Sequence, residues 1–446
     1  MRSQSPKFAR LIISAAALAI GAFAILATSG AGRSDPLNPF GSFTDSGPIT
    51  KEQREQRRQK RADLYDRLSP DYRMTVPFVS EAAIAAQQQA IQRYQGIVAQ
   101  GGWPALGQRT TLHVGDSSSS IIAMRQQLVM SGDLPPGTRR NPRFDDEFLV
   151  GLARFQIRNG LRVSGFVDRR TWMALSISAA ERLAQLEANL PRMRKMMKIN
   201  KAPRYVLVNV PAFTLQAISR GTVELDSNVI VGKPQRATPP VSARIVEVNF
   251  YPTWSVPTSI ARKDLIPAIR KDLSYFYEQH FKVMKDWKSR PLDPAEVDWA
   301  SPQVVNFRFR QDPGPHNALG IVRINMPNKD SIYMHDTPLK RLFSQSSRAF
   351  SSGCVRVERV LDLVTWLLSG QGWNAGRVDA AVEADKSVNV KLNRSVPVNF
   401  VYLTAFATPN GMVQFRADIY GRDATIANDD EGQGAVVAQQ RQAVTP

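Results

Sequence analysis

Cys354 is the only cysteine in the 446-residue chain. It stands in the run Ser351, Ser352, Gly353, Cys354, Val355, Arg356, and His335, one of four histidines, precedes it within the same stretch, 331–359. A thiol behind a small, flexible turn, with an imidazole earlier in the segment, has the makings of a cysteine nucleophile and its base. The thiolate is the reactive form, and a free thiol titrates near ~8.5, so a neighbouring base or cation must help at neutral pH. A lone cysteine is also, in many proteins, a small buried hydrophobe, and spacing alone leaves both readings open.

Charge and the N-terminus narrow the choice. Lys and Arg number 58 against 39 Asp and Glu, a net charge of +19. Such an excess suits a polyanionic partner: nucleic acid, phospholipid or an acidic wall polymer. No run of aromatics interleaved with basic residues offers base stacking, so nucleic acid is not expected. Four histidines and one cysteine give no metal site, and no cofactor is expected. Arg2, Lys7 and Arg10 precede an uncharged apolar run over 11–27, and small residues follow as far as Ala31. That order over 1–31 reads as an export signal cleaved after Ala31, or as an uncleaved anchor touching the membrane. Either way the protein is expected to work outside the cytosol. Exported proteins usually pair their cysteines, yet Cys354 has no partner in the chain, so use becomes the better reading.

The elements that must position this pair lie on both sides of it. Residues 32–50 read as a tether within a linker and helical region over 32–107. The densely charged 51–68 reads as a solvated helix, and Ser80 with Glu81 as the start of another. Over 108–178 three helices are expected. Leu112, Ile121, Met124 and Leu128 mark the first, and Phe144, Phe148, Leu152 and Phe155 the second. Asp168 is placed to cap the third, which carries Thr171, Trp172 and Leu175. A connecting helix over 179–200 is expected to be interrupted near Pro191. From 201 the pattern turns to β, with strands over 204–210, 214–218, 223–231, 244–249, 320–326 and 331–335. A hairpin should pair 398–406 with 412–420 around Pro409, Asn410 and Gly411. Strands this short and numerous indicate a sandwich or barrel-like sheet. Tyr333 falls on the same strand face as His335 by the two-residue period. Within the β region, 260–287 is helical and aromatic and 288–302 is a polar loop; an insertion of that size, about 258–305, reads as a lid or binding loop. The tail over 424–446 has the composition of a disordered segment.

Two resemblances follow from these motifs. Val114, Gly115 and Asp116, Phe155 and Gln156 with Gly160 and Leu161, and the run 165–175 together resemble the peptidoglycan-binding three-helix module. The region 201–423 resembles the YkuD-type L,D-transpeptidases, whose signature is a histidine followed by a small-residue turn, Gly and Cys. It is most similar to the large YcbB-like members of Gram-negative bacteria. The stretches that carry this are Val231, Gly232, Lys233 and Pro234 with Thr238 and Pro239; the run 251–257 containing Trp254; the run 333–338; and Arg310 and Gln311 with 313–315 and 317–320. Ser352 and Arg356 depart from the His and Asn of the broader family, as they do in that subgroup.

The resemblance implies a multidomain α+β protein. Its catalytic domain, over 201–423, would be mainly β with an inserted helical cap, preceded by a three-helix peptidoglycan-binding domain over 108–178 and N-terminal helices. It implies a periplasmic enzyme, expected to be a monomer, whose partners are peptidoglycan stem peptides, a donor tetrapeptide and an acceptor amine. His335 would deprotonate Cys354, which attacks the carbonyl of the third stem residue and releases D-alanine. The amine of a second stem then closes a 3→3 cross-link. Backbone N–H groups at Ser352, Gly353 and Cys354 would hold the oxyanion, Gly353 allowing the tight turn without a Cβ penalty. Arg356, Tyr333 and Trp254 would line the substrate cleft, and carbapenems would acylate Cys354. Two other readings remain: a carboxypeptidase or other hydrolase using water at the same site, and a non-catalytic wall-binding scaffold, against which the intact His335 and Cys354 pair speaks. His316 is expected to be a loop residue, and His113 and His280 to be structural.

Overall fold

The computed structural model describes residues 50–423, apart from Arg73 and Asn200. The expected leader over 1–31, nearly all of the tether, and the tail over 424–446 lie outside the described residues. Among the described residues no helix is long and apolar enough to cross a membrane.

The N-terminal half is helical. Helix α1 spans Lys51–Leu68 and α2 spans Glu81–Ala99, the latter capped by Ser80, whose Oγ accepts the Ala83 N–H at 3.1 Å. Helices α3 (Ser119–Ser131), α4 (Asp146–Arg158) and α5 (Arg169–Leu175) follow. Asp168 caps α5, accepting the Thr171 N–H at 2.7 Å. The Gln156 amide is fully buried and donates to Ser164 Oγ, Phe166 O and Thr171 Oγ1, so in this motif it stitches the α4–α5 loop. Helix α6 runs over Ala179–Ile199 with Pro191 inside it. The expected interruption there is absent, and packing explains why. Leu186 and Met193 are buried on either side of the proline, and the Asn189 side chain bonds the N–H and hydroxyl of Thr404 at 3.0 and 2.8 Å. Those contacts offset the ~3 kcal/mol that an interior proline costs.

From Arg204 the chain is built around a curled sheet. Its first strands are β1 (Arg204–Asn209), β2 (Thr214–Ser219), β3 (Thr222–Gly232) and β4 (Val241–Phe250). An insertion then brings β5 (Trp254–Ser255), α7 (Thr258–Ile260), a π-helical turn at Ala261–Leu265, α8 (Ile266–Lys271), α9 (Ser274–Glu278), β6 (Phe281–Met284) and β7 (Arg308–Gln311). The main sheet resumes with β8 (Val322–Asn325), β9 (Met334–His335), β10 (Ala349–Ser351) and β11 (Val355–Val357). Helices α10 (Val360–Leu368) and α11 (Ala375–Glu383) precede β12 (Val388–Val401), β13 (Ala405–Ala407) and β14 (Val413–Phe415).

The strand order is β10-β3-β11-β9-β8-β4-β12-β1-β2, and β2 pairs back onto β3. That extra pairing closes eight strands into a ring, the barrel-like alternative of the two expected. Residues on one face of it, among them Val206, Val208, Val229, Met334 and Val355, share a core with Leu363, Val364 and Leu367 of α10. Successive residues of β1 face opposite ways, so Tyr205 and Leu207 pack instead with Phe78, Ala83 and Met193 of the helical half. Burial on both faces fixes the register.

Three expectations are corrected. The cap is not purely helical: β5, β7 and β6 form their own three-stranded sheet, with a core of Val256, Leu265, Phe276, Phe281 and Phe309. The aromatic stretch that reads as helix turns to strand at Phe281, where those aromatics pack against β7. The late hairpin pairs only Ala405–Ala407 with Val413–Phe415, because the preceding apolar run belongs to β12, parallel to β1 and antiparallel to β4.

Candidate active site

The sheet register assembles the site. Strands β9 and β11 run parallel with Met334 opposite Val355 and His335 opposite Arg356. Met334, Val355 and Val357 enter the core, so the two-residue alternation turns Tyr333, His335, Cys354 and Arg356 to the other face. There Tyr333 hydrogen-bonds the Cys354 sulfur through both its main chain and its side chain. The Tyr333 ring meets the His335 ring edge-on at 5.7 Å, and its hydroxyl accepts the Trp254 indole N–H at 3.2 Å. Trp254 thus reaches the site from β5 through Tyr333. Arg323, opposite His335 on β8, lies 6.0 Å from the centre of the Tyr333 ring.

The turn before Cys354 is held by its own side chains and by the β3–β4 loop. Ser351 Oγ donates to the Cys354 carbonyl at 2.6 Å and accepts the Gly353 N–H at 3.1 Å. Thr238 Oγ1 donates to the Gly353 carbonyl at 2.8 Å and accepts the Gly232 N–H at 2.9 Å. Arg236 donates from Nη1 to Ser352 Oγ at 2.8 Å. Gly353 has φ +124°, a region in which side-chain-bearing residues are strained by about 1–3 kcal/mol. Gly353→Ala is therefore expected to move the turn and slow acylation of Cys354 by about tenfold or more; stopped-flow acylation at an unchanged rate would contradict this.

These bonds revise the expected oxyanion donors. The Gly353 N–H is committed to Ser351, whereas the N–H groups of Ser352 and Cys354 have no intramolecular acceptor among the described residues. The remaining motif residues buttress the histidine strand. The Asp336 carboxylate accepts the Ile321 N–H at 3.1 Å and pairs with Lys340. Gly320, at φ +62°, leaves room for it, since a Cβ there would lie 2.3 Å from Asp336 Oδ2.

Residues 203–383 match the family model of the YkuD L,D-transpeptidase catalytic domain. The chain carries an L,D-transpeptidase catalytic domain. Its sheet continues past the matched residues through β12. A Haemophilus influenzae protein, provisionally named an L,D-transpeptidase, is 35% identical over 243 residues, covering 54% of this chain and 48% of its own. The chain thus spans about half the length of that curated relative. Solved structures include an L,D-transpeptidase from Mycobacterium smegmatis (14% identity, 45% of this chain, 58% of that one, TM-score 0.23). Another is an L,D-transpeptidase from Stackebrandtia nassauensis (12% identity, 67% and 96%, TM-score 0.24). Likeness at those scores carries no argument.

In this transpeptidase domain the resting charges are low. Burial, and then the charge of Arg356, hold the His335 imidazole down at about 3. Burial pushes the Cys354 thiol above its ordinary range, against the pull of its Tyr333 hydrogen bonds and of Arg356. Burial likewise raises the Tyr333 phenol. At neutral pH the site therefore holds a neutral thiol and a neutral imidazole, not the ion pair that a preformed thiolate requires. His335 Nδ1 and Arg356 Nε are buried without hydrogen-bond partners. The electrostatic partner of Arg356 is the Cys354 sulfur, which makes it a local cation for a developing thiolate.

The other histidines are placed elsewhere. His280 and His316 stack on one another at 5.2 Å, and His113 stacks on Phe166 at 5.1 Å while its Nδ1 lies 3.8 Å from Asp116. His113 and His280 thus each have a ring partner of their own. Among the described residues no cluster of His, Cys, Asp and Glu could hold a metal ion. Sequence reading passed over Arg236 and gave Thr238 no role beyond its motif, although both lie in the run from Val231 to Pro239 that carries part of the resemblance.

Proposed function

We propose that the protein is a periplasmic peptidoglycan L,D-transpeptidase that uses Cys354 as nucleophile and forms 3→3 cross-links. The observation that carries this reading is the convergence of Cys354, Tyr333, His335 and Arg356 on one sheet face behind a turn with two uncommitted N–H donors.

As the sulfur attacks the carbonyl carbon of the third residue of the donor stem, its proton passes to the His335 imidazole. The thiol is raised and the imidazole lowered, so this transfer accompanies attack and does not precede it. Arg356 and the Tyr333 hydroxyl stabilise charge on sulfur as it develops, and the Ser352 and Cys354 N–H groups receive the oxyanion. Donors of that kind lower a barrier by about 3 kcal/mol each. The C–N bond then breaks, the leaving D-alanine takes the proton from the imidazolium, and a thioester remains on Cys354. A second stem's amine attacks the thioester carbonyl and gives its proton to His335, and the thiol recovers that proton as the C–S bond breaks.

Helices α3–α5 are assigned to wall binding on their motif residues, and the +19 charge of the chain suits an anionic wall. Incubating the enzyme with tetrapeptide muropeptides tests the reaction by mass spectrometry. Tetra–tri dimers with 3→3 bonds are expected. Tripeptide monomers alone would make water the acceptor and the enzyme a carboxypeptidase; unchanged muropeptides would remove the assignment.

A further inference from the structure

Arg236 sits where three parts of the domain meet. It follows β3 in the loop to β4, donates from Nη1 to Ser352 of the catalytic turn at 2.8 Å, and grips Asp264 of the cap with both arms of its guanidinium. The Nη2 arm meets Asp264 Oδ1 at 3.0 Å, and Nη1 pairs with the other carboxylate oxygen. The Arg236 backbone is locked in place. Its N–H donates to the Lys233 carbonyl at 2.8 Å, and its own carbonyl would lie 2.1 Å from a Cβ on Gly232. The fork is thus preorganised beside the nucleophile.

The two partners differ in a way that decides what the pair does. The Arg236 side chain is 15% exposed, whereas that of Asp264 is 44% exposed. Asp264 belongs to the π-helical turn at Ala261–Leu265, an irregularity often found at functional sites. The carboxylate can withdraw to water with the cap, but the covered guanidinium cannot follow it and needs another anion. A bidentate guanidinium selects planar carboxylates.

We propose that Arg236 is a binding site for a carboxylate of the donor stem peptide, and that Asp264 occupies it as a built-in competitor until the peptide displaces it and frees the cap. This rests on the substrate class proposed above. Two sources supply that chemistry: the terminal carboxylate one residue beyond the scissile amide, and any carboxylate on the third residue's side chain. Arg356 is thereby left to the sulfur it adjoins.

The test uses the full chain carrying Cys354→Ala, so that binding is read without turnover. Donor tetrapeptide, its C-terminal amide and its side-chain amide are titrated by calorimetry against that protein, and against versions that also carry Asp264→Asn, Arg236→Gln or Arg236→Lys. The tetrapeptide is expected to bind about tenfold tighter with Asp264→Asn and about tenfold weaker with Arg236→Gln, with Arg236→Lys in between because it keeps the charge and loses the fork. One of the two amides should lose this dependence, and which one identifies the carboxylate. The proposal is overturned if Asp264→Asn does not tighten binding, or if all three peptides respond alike. Absence of binding in every background also overturns it, and the muropeptide assay then reports separately whether the substrate class stands.

Discussion

Cys354→Ala is expected to reduce D-alanine release from a tetrapeptide donor by at least about four orders of magnitude, because no other group can form the thioester. The substitution should spare the fold. The turn around Cys354 is held by the Ser351 and Thr238 hydroxyls acting on main-chain groups, and none of those bonds uses the sulfur. Alanine keeps the Cβ and removes only the sulfur of a half-buried residue. Melting temperature should therefore stay close to that of the parent, and binding to purified wall sacculi should persist through α3–α5. Amino-acid analysis of the reaction supernatant checks the first outcome and a sedimentation assay the second. Residual release above about one per cent of the parent rate would assign the nucleophile elsewhere.

His335→Gln is expected to slow acylation by about 10²–10⁴, the range for loss of a positioned general base. It also carries a signature in stability. The native imidazole titrates at about 3, whereas an unfolded histidine titrates near ~6.5. Between those values the unfolded chain binds a proton that the native chain does not, so this group makes stability rise with pH across the window and fall as pH drops from 6.5 towards 3. A depression of that size amounts to a few kcal/mol. Denaturant midpoints measured from pH 7 to pH 4 should therefore decline less in His335→Gln than in the parent, whose carboxylates contribute equally to both. Identical declines would mean that His335 is not held neutral. For the same reason the kcat/KM profile of the parent should show no histidine step near pH 6.5.

The site was legible in the sequence where local signals carried it. The lone Cys354 behind Ser351, Ser352 and Gly353, with His335 upstream, marks the chemistry, and strand alternation already put Tyr333 on the side of His335. Ser80 and Asp168 cap helices because a short polar acceptor at a helix start serves one purpose. The missing parts depend on partners distant in sequence. Only the second half of β12 is legible, and as a hairpin arm: its first half alternates Val388, Val390 and Leu392 with polar residues but is largely exposed, and its pairing with β1 joins segments nearly two hundred residues apart. Helix α10 is a short run apolar at most positions, a pattern that periodicity does not distinguish from a strand. The loss of the Gly353 N–H to Ser351 and the grip of Arg236 on Asp264 are matters of side-chain direction, which spacing does not encode. The resting protonation of the pair follows from burial, and motif recognition is blind to that.

Intact-protein mass spectrometry under turnover with a tetrapeptide donor tests the central claim most directly. The protein should gain the mass of the donor less D-alanine, with the adduct on the peptide bearing Cys354. It should disappear when an amine acceptor is added and never form in Cys354→Ala. Release of D-alanine without any such adduct, or an adduct mapping to another residue, would contradict acyl transfer through this thiol.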